Sequence, residues 1–193
     1  MTQRPFHHGN LRATLLYAAE KTLRAEGVEA LSLRQLAREA GVSHAAPRRH
    51  FADRQALLNA LAEQGFRRLA DAVLKAGAEG AGGYEERFQA LARAYVEFAL
   101  HDAALMDLMF ATKSSAASPG VTEAAESFFT AVTELIGQGA REGRLTLDDP
   151  ERLQMLLVST LHGIATLVAT GRFPAGEIDR LIADATTLFL RRP

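Results

Sequence analysis

Residues 32–51 read SLRQLAREAGVSHAAPRRHF, and this stretch decides the fold of the chain. Its apolar residues recur at helical spacing and include Leu33, Leu36, Ala37 and Ala40. Gly41 stands where a glycine ends a helix, and a second short helix is predicted from Ser43 to His50, with Pro47 near its first turn. Two short helices joined by a glycine-containing turn are typical of a helix-turn-helix, and the same spacing also fits a plain helical hairpin with a solvated basic face.

Polar residues at the predicted helix starts support this assignment. Ser32 and Gln35 have the spacing of a capping box, in which each side chain bonds the other residue's backbone N–H. Ser43 and Asp53 are suitable N-caps for the two helices that follow. The sequence therefore predicts three closely spaced helix starts, at 32, 43 and 53.

The rest of the chain also has helical periodicity, and the predicted fold class is all-α with about nine helices. The other helices are predicted at about 10–26, 53–76, 84–101, 103–112, 121–142, 150–170 and 174–191, with a loop at 113–120. We expect two parts, a helix-turn-helix domain at 1–52 and a helical domain at 53–193, with the helix from 53 connecting them.

Composition narrows the class of protein. The chain has 193 residues, 48% of them hydrophobic, and no cysteine. Disulfides, thiolate zinc sites and cysteine nucleophiles are therefore excluded. The sequence contains neither a long uninterrupted apolar run nor an apolar leader after its first residues, so a cytoplasmic protein without a membrane span is expected.

Charge is divided unevenly along the chain. Residues 1–68 carry 11 Lys and Arg against 6 Asp and Glu, a net charge of +5. Residues 69–193 carry 11 against 17, a net charge of -6. A basic head on an acidic body is the expected layout of a DNA-binding module joined to a domain that stays off DNA.

Residues 7–66 resemble the amino-terminal domain of the tetracycline-repressor (TetR) family. The resemblance rests on the paired alanines at 18–19, LSLRQLA at 31–37, AGVS at 40–43, the His50-Phe51 step and DRQALL at 53–58. It implies a transcription regulator, most often a repressor, whose homodimer binds a near-palindromic double-stranded DNA operator and releases it when a small effector binds. By the same resemblance, residues 1–52 are the DNA-binding domain and residues 53–193 are the domain for effector binding and dimerisation. No cofactor, metal or enzyme activity is implied.

The resemblance also assigns roles to residues of the recognition segment, which we define as residues 43–50, and to its neighbours. Residues at base-contacting positions are Arg34, His44, Ala45 and Arg48. Residues near phosphates are Ser32, Ala46, Arg49, His50 and Arg54, and Ser43 begins the segment. Phe51 is assigned to the core.

Two of these positions depart from the family pattern. Arg48 stands where tyrosine is usual, and Arg54 stands where lysine is usual. The first change replaces an aromatic ring by a cation and is expected to shift base preference towards guanine. The second keeps a phosphate-directed charge with a different geometry.

The carboxy-terminal half resembles the family more loosely. Leu161, His162 and Gly163 are similar to a subgroup with a Trp-His-Gly motif, with leucine in place of tryptophan. In the family the last two helices of each protomer pair in the dimer, and the matching segments here are about 150–171 and 174–191. Their apolar faces are wide enough for both a core and a partner.

Aromatic and methionine side chains in the middle helices are candidates for an effector pocket, although a plain packed core explains each of them as well. The candidate apolar residues are Phe66, Phe88, Tyr95, Phe98, Met106, Met109, Phe110, Phe128 and Phe129. His162 and Thr166 would supply polar contacts to an apolar or amphipathic effector.

Two other classes of function are alternatives. An enzyme would have to use His101 with Asp102, Asp148 with Asp149, or His162, and none of these forms a nucleophile-base pattern. The adjacent residues His7 and His8 do not make a metal site by themselves. The second alternative is a helical small-molecule-binding protein that has lost specific DNA binding, for which the unusual Arg48 is the main argument.

Overall fold

A computed structural model describes residues 11–79, 82–115, 118–147 and 149–191. Its helices are α1 (Leu11–Glu26), α2 (Leu33–Glu39), α3 (Arg54–Glu79), α4 (Tyr84–His101), α5 (Ala103–Ser115), α6 (Pro119–Arg141), α7 (Pro150–Ala169) and α8 (Ile178–Phe189). The described part of the chain has no β-strand, only an isolated antiparallel bridge between Leu145 and Leu190. The predicted all-α class is confirmed.

The turn after α2 has the predicted glycine. Gly41 adopts a φ of +65°, its N–H bonds the Arg38 carbonyl, and the Val42 N–H bonds the Ala37 carbonyl at 3.0 Å. These two bonds form a Schellman motif, which needs a left-handed residue at this position. The chain therefore reverses sharply between α2 and the recognition segment.

The recognition segment is not the α-helix that the sequence predicts. Residues 44–46 form a turn, and Pro47–Arg49 form one turn of 3-10 helix. Pro47 has no N–H to bond the Ser43 carbonyl, and the bonds are of the tighter i+3 type, from the Ala46 N–H to the Ser43 carbonyl and from the Arg49 N–H to the Ala46 carbonyl. The count of about nine helices is thus reduced to eight α-helices within the described ranges.

The predicted capping box at Ser32 is also wrong. The Ser32 side chain makes no cap hydrogen bond, and the Gln35 amide instead donates to Glu39 one turn on. The predicted cap at Asp53 is correct, because its Oδ1 accepts the Ala56 N–H at 2.8 Å.

Helix α3 joins the head, which comprises α1, α2 and the recognition segment, to the body formed by α4–α8. Its buried face packs against α4, α5 and α6 along the body and against α1 in the head. Gly65 lies so close to α5 that an added Cβ would be 2.5 Å from Met109 Sδ. One continuous core follows α3 through both halves of the chain.

Several helix ends differ from the predicted ones. Helix α5 runs on to Ser115 and α6 starts at Pro119, so most of the loop predicted at 113–120 is helical, with 116–117 outside the described residues. The last helix starts at Ile178, because a 3-10 turn at Ala175–Glu177 follows Pro174. The α4 bounds are those predicted.

Candidate nucleic-acid interface and candidate ligand pocket

The side chains predicted to contact DNA lie together on the outside of the head. The exposed ones are Ser32, Arg34, Ser43, His44, Ala45, Arg48, Arg49 and His50, and Ala46 is half-buried. Only Pro47 within the recognition segment is buried, so it anchors the segment while its neighbours face solvent. This surface combines small residues with cations, a combination that suits close approach to a duplex.

Three arginines of this surface have no acidic partner among the residues that the structure describes. Arg34, Arg48 and Arg49 form no ion pair with any residue in the described ranges. Exposed cations that the protein does not neutralise remain available to phosphates or base edges. The surface therefore has the electrostatics of an anion-binding face.

Arg54 is placed differently from the other predicted phosphate contacts. Its Nε donates to the Leu31 carbonyl at 3.1 Å and its Nη2 donates to the Val28 carbonyl at 2.6 Å. Glu29 lies 3.6 Å from the same Nη2. Arg54 thus ties the start of α3 to the turn between α1 and α2, and only part of its guanidinium faces away from the head.

Phe51 is a core residue, as predicted. Its side chain is buried, and the Arg12 guanidinium lies over the ring at 5.5 Å from the centroid. Leu15, Leu36 and Leu57 are buried in the same cluster. This packing fixes the recognition segment from its carboxy-terminal side.

Sequence reasoning missed a group of four charged residues, which we name the ionic cluster: Glu20, Arg24, Arg68 and Asp102. Asp102 is 1% exposed, yet Arg24 Nε lies 2.6 Å from its Oδ1 and Arg68 Nη2 lies 2.5 Å from its Oδ2. The i, i+4 spacing of Glu20 and Arg24 was readable, but contacts between residues so distant in sequence were not.

Several predicted pocket residues form one aromatic cluster, which we define as Phe66, Tyr95, Phe110, Phe128, Phe129 and His162. Phe110 touches both the Phe66 ring and the His162 ring, at centroid distances of 5.8 and 5.4 Å. The Tyr95 ring lies 6.0 Å from the Phe128 ring, and Phe128 lies 4.9 Å from Phe129. The cluster thus joins α3 to α7 through the middle of the body.

The polar groups of this cluster bond each other. The Tyr95 hydroxyl lies 3.2 Å from His162 Nδ1. Tyr95 is buried, and this burial raises the pKa of its phenol well above the ordinary value. A buried phenol paired with a half-buried imidazole is a polar group inside an apolar wall.

The other predicted pocket residues lie at different places. Phe88, Met106 and Met109 are buried in the surrounding core. Phe98 is half-buried with the Arg68 guanidinium over its ring, and Thr166 is exposed, so the structure does not bring either into the aromatic cluster.

Three cavities lined by described residues lie away from the aromatic cluster. Two are on the surface between α1 and α3, with volumes of about 330 and 510 Å³. The third, of about 280 Å³, lies between α3, α4 and α6. Tyr17, 75% exposed, stands between the first two.

The residues considered for an enzyme have other partners. Asp149 caps α7 by accepting the Arg152 N–H at 3.1 Å, and Asp102 belongs to the ionic cluster. No group of three or more His, Asp or Glu suited to a metal occurs in the part of the chain that the structure describes. His7, His8 and Asp148 lie outside the described residues.

Helix α7 is long and apolar enough to cross a membrane by length and composition, although it packs in the body against α4, α6 and α8. A core helix of a folded protein can have the same length and apolar composition.

Comparison with protein families matches both parts of the chain. Residues 15–61 match the model described as bacterial regulatory proteins, tetR family, and residues 88–189 match the model described as the tetracyclin repressor-like C-terminal domain. The first match spans the head and the start of α3, and the second spans more than half of the chain.

Several solved structures share this fold. A protein of unknown function from Rhodococcus sp. RHA1 is 45% identical over 96% of each chain, with a TM-score of 0.87. A TetR family transcription regulator from Marinobacter aquaeolei VT8 shares the fold at 19% identity, with a TM-score of 0.77 over 95% of this chain and 97% of that one. The regulator PfmR from Thermus thermophilus does so at 22% identity and a TM-score of 0.71, over 92% and 99%.

No curated protein matches the chain. The two family models, which together cover the head and most of the body, and the helical architecture agree with each other, and the chain belongs to the tetR family of bacterial regulatory proteins.

Proposed function

We propose that this tetR-family transcription regulator is a ligand-responsive repressor that binds a near-palindromic operator as a homodimer. The observation that carries the proposal is that Arg34, Arg48 and Arg49 are exposed on the head and form no ion pair within the described ranges. By contrast, Arg24 of α1 is engaged with Asp102, and Arg54 at the start of α3 is engaged with two carbonyls.

The recognition segment would enter the major groove. Ala45 and Ala46 are small enough to let the backbone approach the bases, and Arg34, His44 and Arg48 would reach base edges. Ser32, Arg49 and His50 would bind phosphates. Arg54 would contribute Nη1 alone, because its Nε and Nη2 already bond carbonyls.

The dimer would form through α7 and α8. Their outer faces carry Met155, Leu156 and Leu188 at 64%, 44% and 74% exposure. Large apolar side chains grouped on neighbouring helices favour contact with a second copy. Two heads would then be available for successive major grooves, which lie about 34 Å apart.

The effector site would use the aromatic cluster. Its rings offer an apolar wall, and the Tyr95–His162 pair offers a polar contact, so an apolar or amphipathic molecule with one hydrogen-bonding group fits this chemistry. Thr166 is left out of this site because it is exposed. An effector that prefers a body geometry with mismatched heads weakens DNA binding, by about 5- to 150-fold for typical coupling energies.

The proposed binding to an operator places the protein in the cytoplasm, because bacterial DNA lies there. No cofactor or catalytic role enters the proposal.

The test is selection of duplexes from a random library by the purified protein, followed by mobility shifts of the selected sequence at two salt concentrations. The proposal expects a palindromic consensus and an affinity that falls steeply with salt, because each neutralised phosphate releases counterions. Recovery of no consensus, with only weak binding equal for all duplexes, would overturn it.

The effector can be tested without knowing its identity. Native mass spectrometry of the purified protein, wild type beside His162→Leu, would detect a retained small molecule. Loss of that molecule in the variant supports the site, whereas equal retention by both proteins places the ligand elsewhere.

A further inference from the structure

The ionic cluster connects three parts of the molecule. Glu20 and Arg24 lie on α1 in the head, Arg68 lies in the middle of α3, and Asp102 lies between α4 and α5. Arg24 Nη2 and Arg68 Nη1 each lie 2.7 Å from Glu20 Oε1, and the same two arginines hold the two carboxylate oxygens of Asp102. The four side chains thus form a closed ring of alternating charges.

Among the described residues, Arg24 and Arg68 are the ion-pair partners of Asp102. The residue is almost fully buried, and an ionised carboxylate in that position is costly unless cations and donors surround it. Its partners come from α1 and α3, not from its own helices. Removing either arginine would leave the buried carboxylate under-compensated. The ion pair between Arg24 on α1 and Asp102 therefore holds α1 against the α4–α5 corner.

The corner is also where the proposed effector site ends. Helix α4 carries Tyr95 and ends at His101, and α5 begins at Ala103 and carries Phe110. Arg68 has a second contact with this region, since its guanidinium lies over the Phe98 ring at 5.5 Å from the centroid. A shift of α4 or α5 around a ligand must therefore displace Asp102, Phe98 or both.

We propose that Asp102 is a positioning residue for DNA recognition: through Arg24 and Arg68 it fixes the head relative to the body, and it passes movement of the α4–α5 corner to the recognition segment. Asp102 itself touches no DNA in this account. The regulatory part of the inference rests on the proposed function, but the positioning part does not.

The positioning part can be measured without any duplex. The chain has no cysteine, so Ser43→Cys with Glu123→Cys gives two spin labels, one on the head and one on α6. Pulsed electron paramagnetic resonance measures the distance between the two labels. Diluting the labelled protein with unlabelled protein restricts this measurement to labels within one protomer. The variants compared are Asp102→Asn and, as a matched control, Asp107→Asn, an exposed carboxylate on α5.

We expect a broader or displaced head-to-body distance distribution in Asp102→Asn and the wild-type distribution in Asp107→Asn. If Asp102→Asn fails to fold, Arg24→Met replaces it, because that side chain is 43% exposed and methionine keeps its aliphatic stem. An unchanged distribution in the folded variant, with only a lower melting temperature, would show a merely structural role and overturn the proposal.

The regulatory part is read from DNA binding by the unlabelled variants. On a duplex that the wild type selects, the cluster variant should lose at least about fivefold in affinity while the Asp107→Asn control binds normally. Equal affinities despite an altered distance would remove the link to recognition. If the wild type selects no duplex, the proposed function fails, and the distance measurement still decides the positioning role.

Discussion

At the scale of single residues, Tyr84 carries a polar group that the fold does not satisfy. Its hydroxyl is buried without a hydrogen-bond partner among the described residues, and it packs against Gly139, where an added Cβ would collide with the oxygen. The ring stacks on Phe88 at 5.9 Å. Tyr84 therefore contributes through its ring, while its hydroxyl is a cost.

We predict that Tyr84→Phe raises the free energy of unfolding by about 1 kcal/mol, because it removes a buried group that lacks a partner. Urea unfolding followed by circular dichroism measures this change. Tyr17→Phe, at an exposed ring, is the control and should leave stability unchanged. A loss of stability in Tyr84→Phe would mean that the hydroxyl has a partner in solution.

The buried phenol of Tyr84 should also make the folded protein less stable in alkali. Burial, with a smaller contribution from Glu142 and against the effect of Arg87, raises the pKa of Tyr84 from 10.0 to about 12. A raised pKa favours the neutral phenol in the folded state, so this contribution is complete below pH 10 and is lost as pH rises towards 12. Burial raises the pKa of Tyr95 in the same direction.

Unfolding free energies at about pH 8 and about pH 11 should therefore fall with pH, and should fall less in Tyr84→Phe than in the wild type. The Tyr17→Phe control should follow the wild-type curve. Identical pH dependence in all three proteins would contradict the burial of Tyr84.

At the scale of elements, replacing glycines in two different conformations by alanine should change the free energy of unfolding in opposite directions. Gly41 is left-handed at the end of α2, whereas Gly77 is within α3 and has open space where a Cβ would be. Gly41→Ala should cost about 1 kcal/mol, because an alanine at positive φ is strained. Gly77→Ala should add about 0.5 kcal/mol by restricting the unfolded chain.

Both changes are read from the same chemical denaturation experiment, with Gly77→Ala as the matched control for adding a methyl group. Stabilisation by Gly41→Ala would contradict the Schellman turn between α2 and the recognition segment.

How much of each element the sequence predicted depends on what ends it. The α4 bounds were readable because glycines precede Tyr84 and a helix break falls at Asp102. In the recognition segment, Ser43 as an N-cap with Pro47 near the first turn predicts a short helix, and the missing N–H of Pro47 limits that helix to one 3-10 turn. The helix-turn-helix pattern predicts a second helix whose polar face is free, and the side chains assigned to DNA contact are exposed apart from the half-buried Ala46. The ionic cluster could not be predicted, because its contacts join residues 34 to 78 positions apart.

For the whole molecule, binding to a near-palindromic operator requires a second copy of the chain. We predict that Leu188→Glu converts the dimer into a monomer, because it places a charge on the outer apolar face of α8. Leu74→Glu, at an exposed leucine of α3, is the control and should remain dimeric. Sedimentation equilibrium distinguishes the two species.

A stable dimer usually buries about 1,200–2,000 Å² in total, so a single charge at the edge of the interface would only weaken it. Dissociation by Leu188→Glu therefore also places this side chain near the interface centre. A wild-type protein that sediments as a monomer would contradict the proposed pairing of α7 and α8.

If the exposed cations around the recognition segment select a DNA sequence, removing two of them must abolish the preference for one duplex over another. Arg34→Ala with Arg48→Ala is compared with Arg172→Ala and Arg180→Ala, which remove the same charge from exposed positions of the body. Affinities are measured for the selected duplex and for a scrambled one.

We expect the head variant to lose its preference for the selected duplex, at about 1–3 kcal/mol for each base contact removed, while the body variant keeps it. Undiminished preference in the head variant would contradict the account and favour a helical ligand-binding protein without specific DNA recognition.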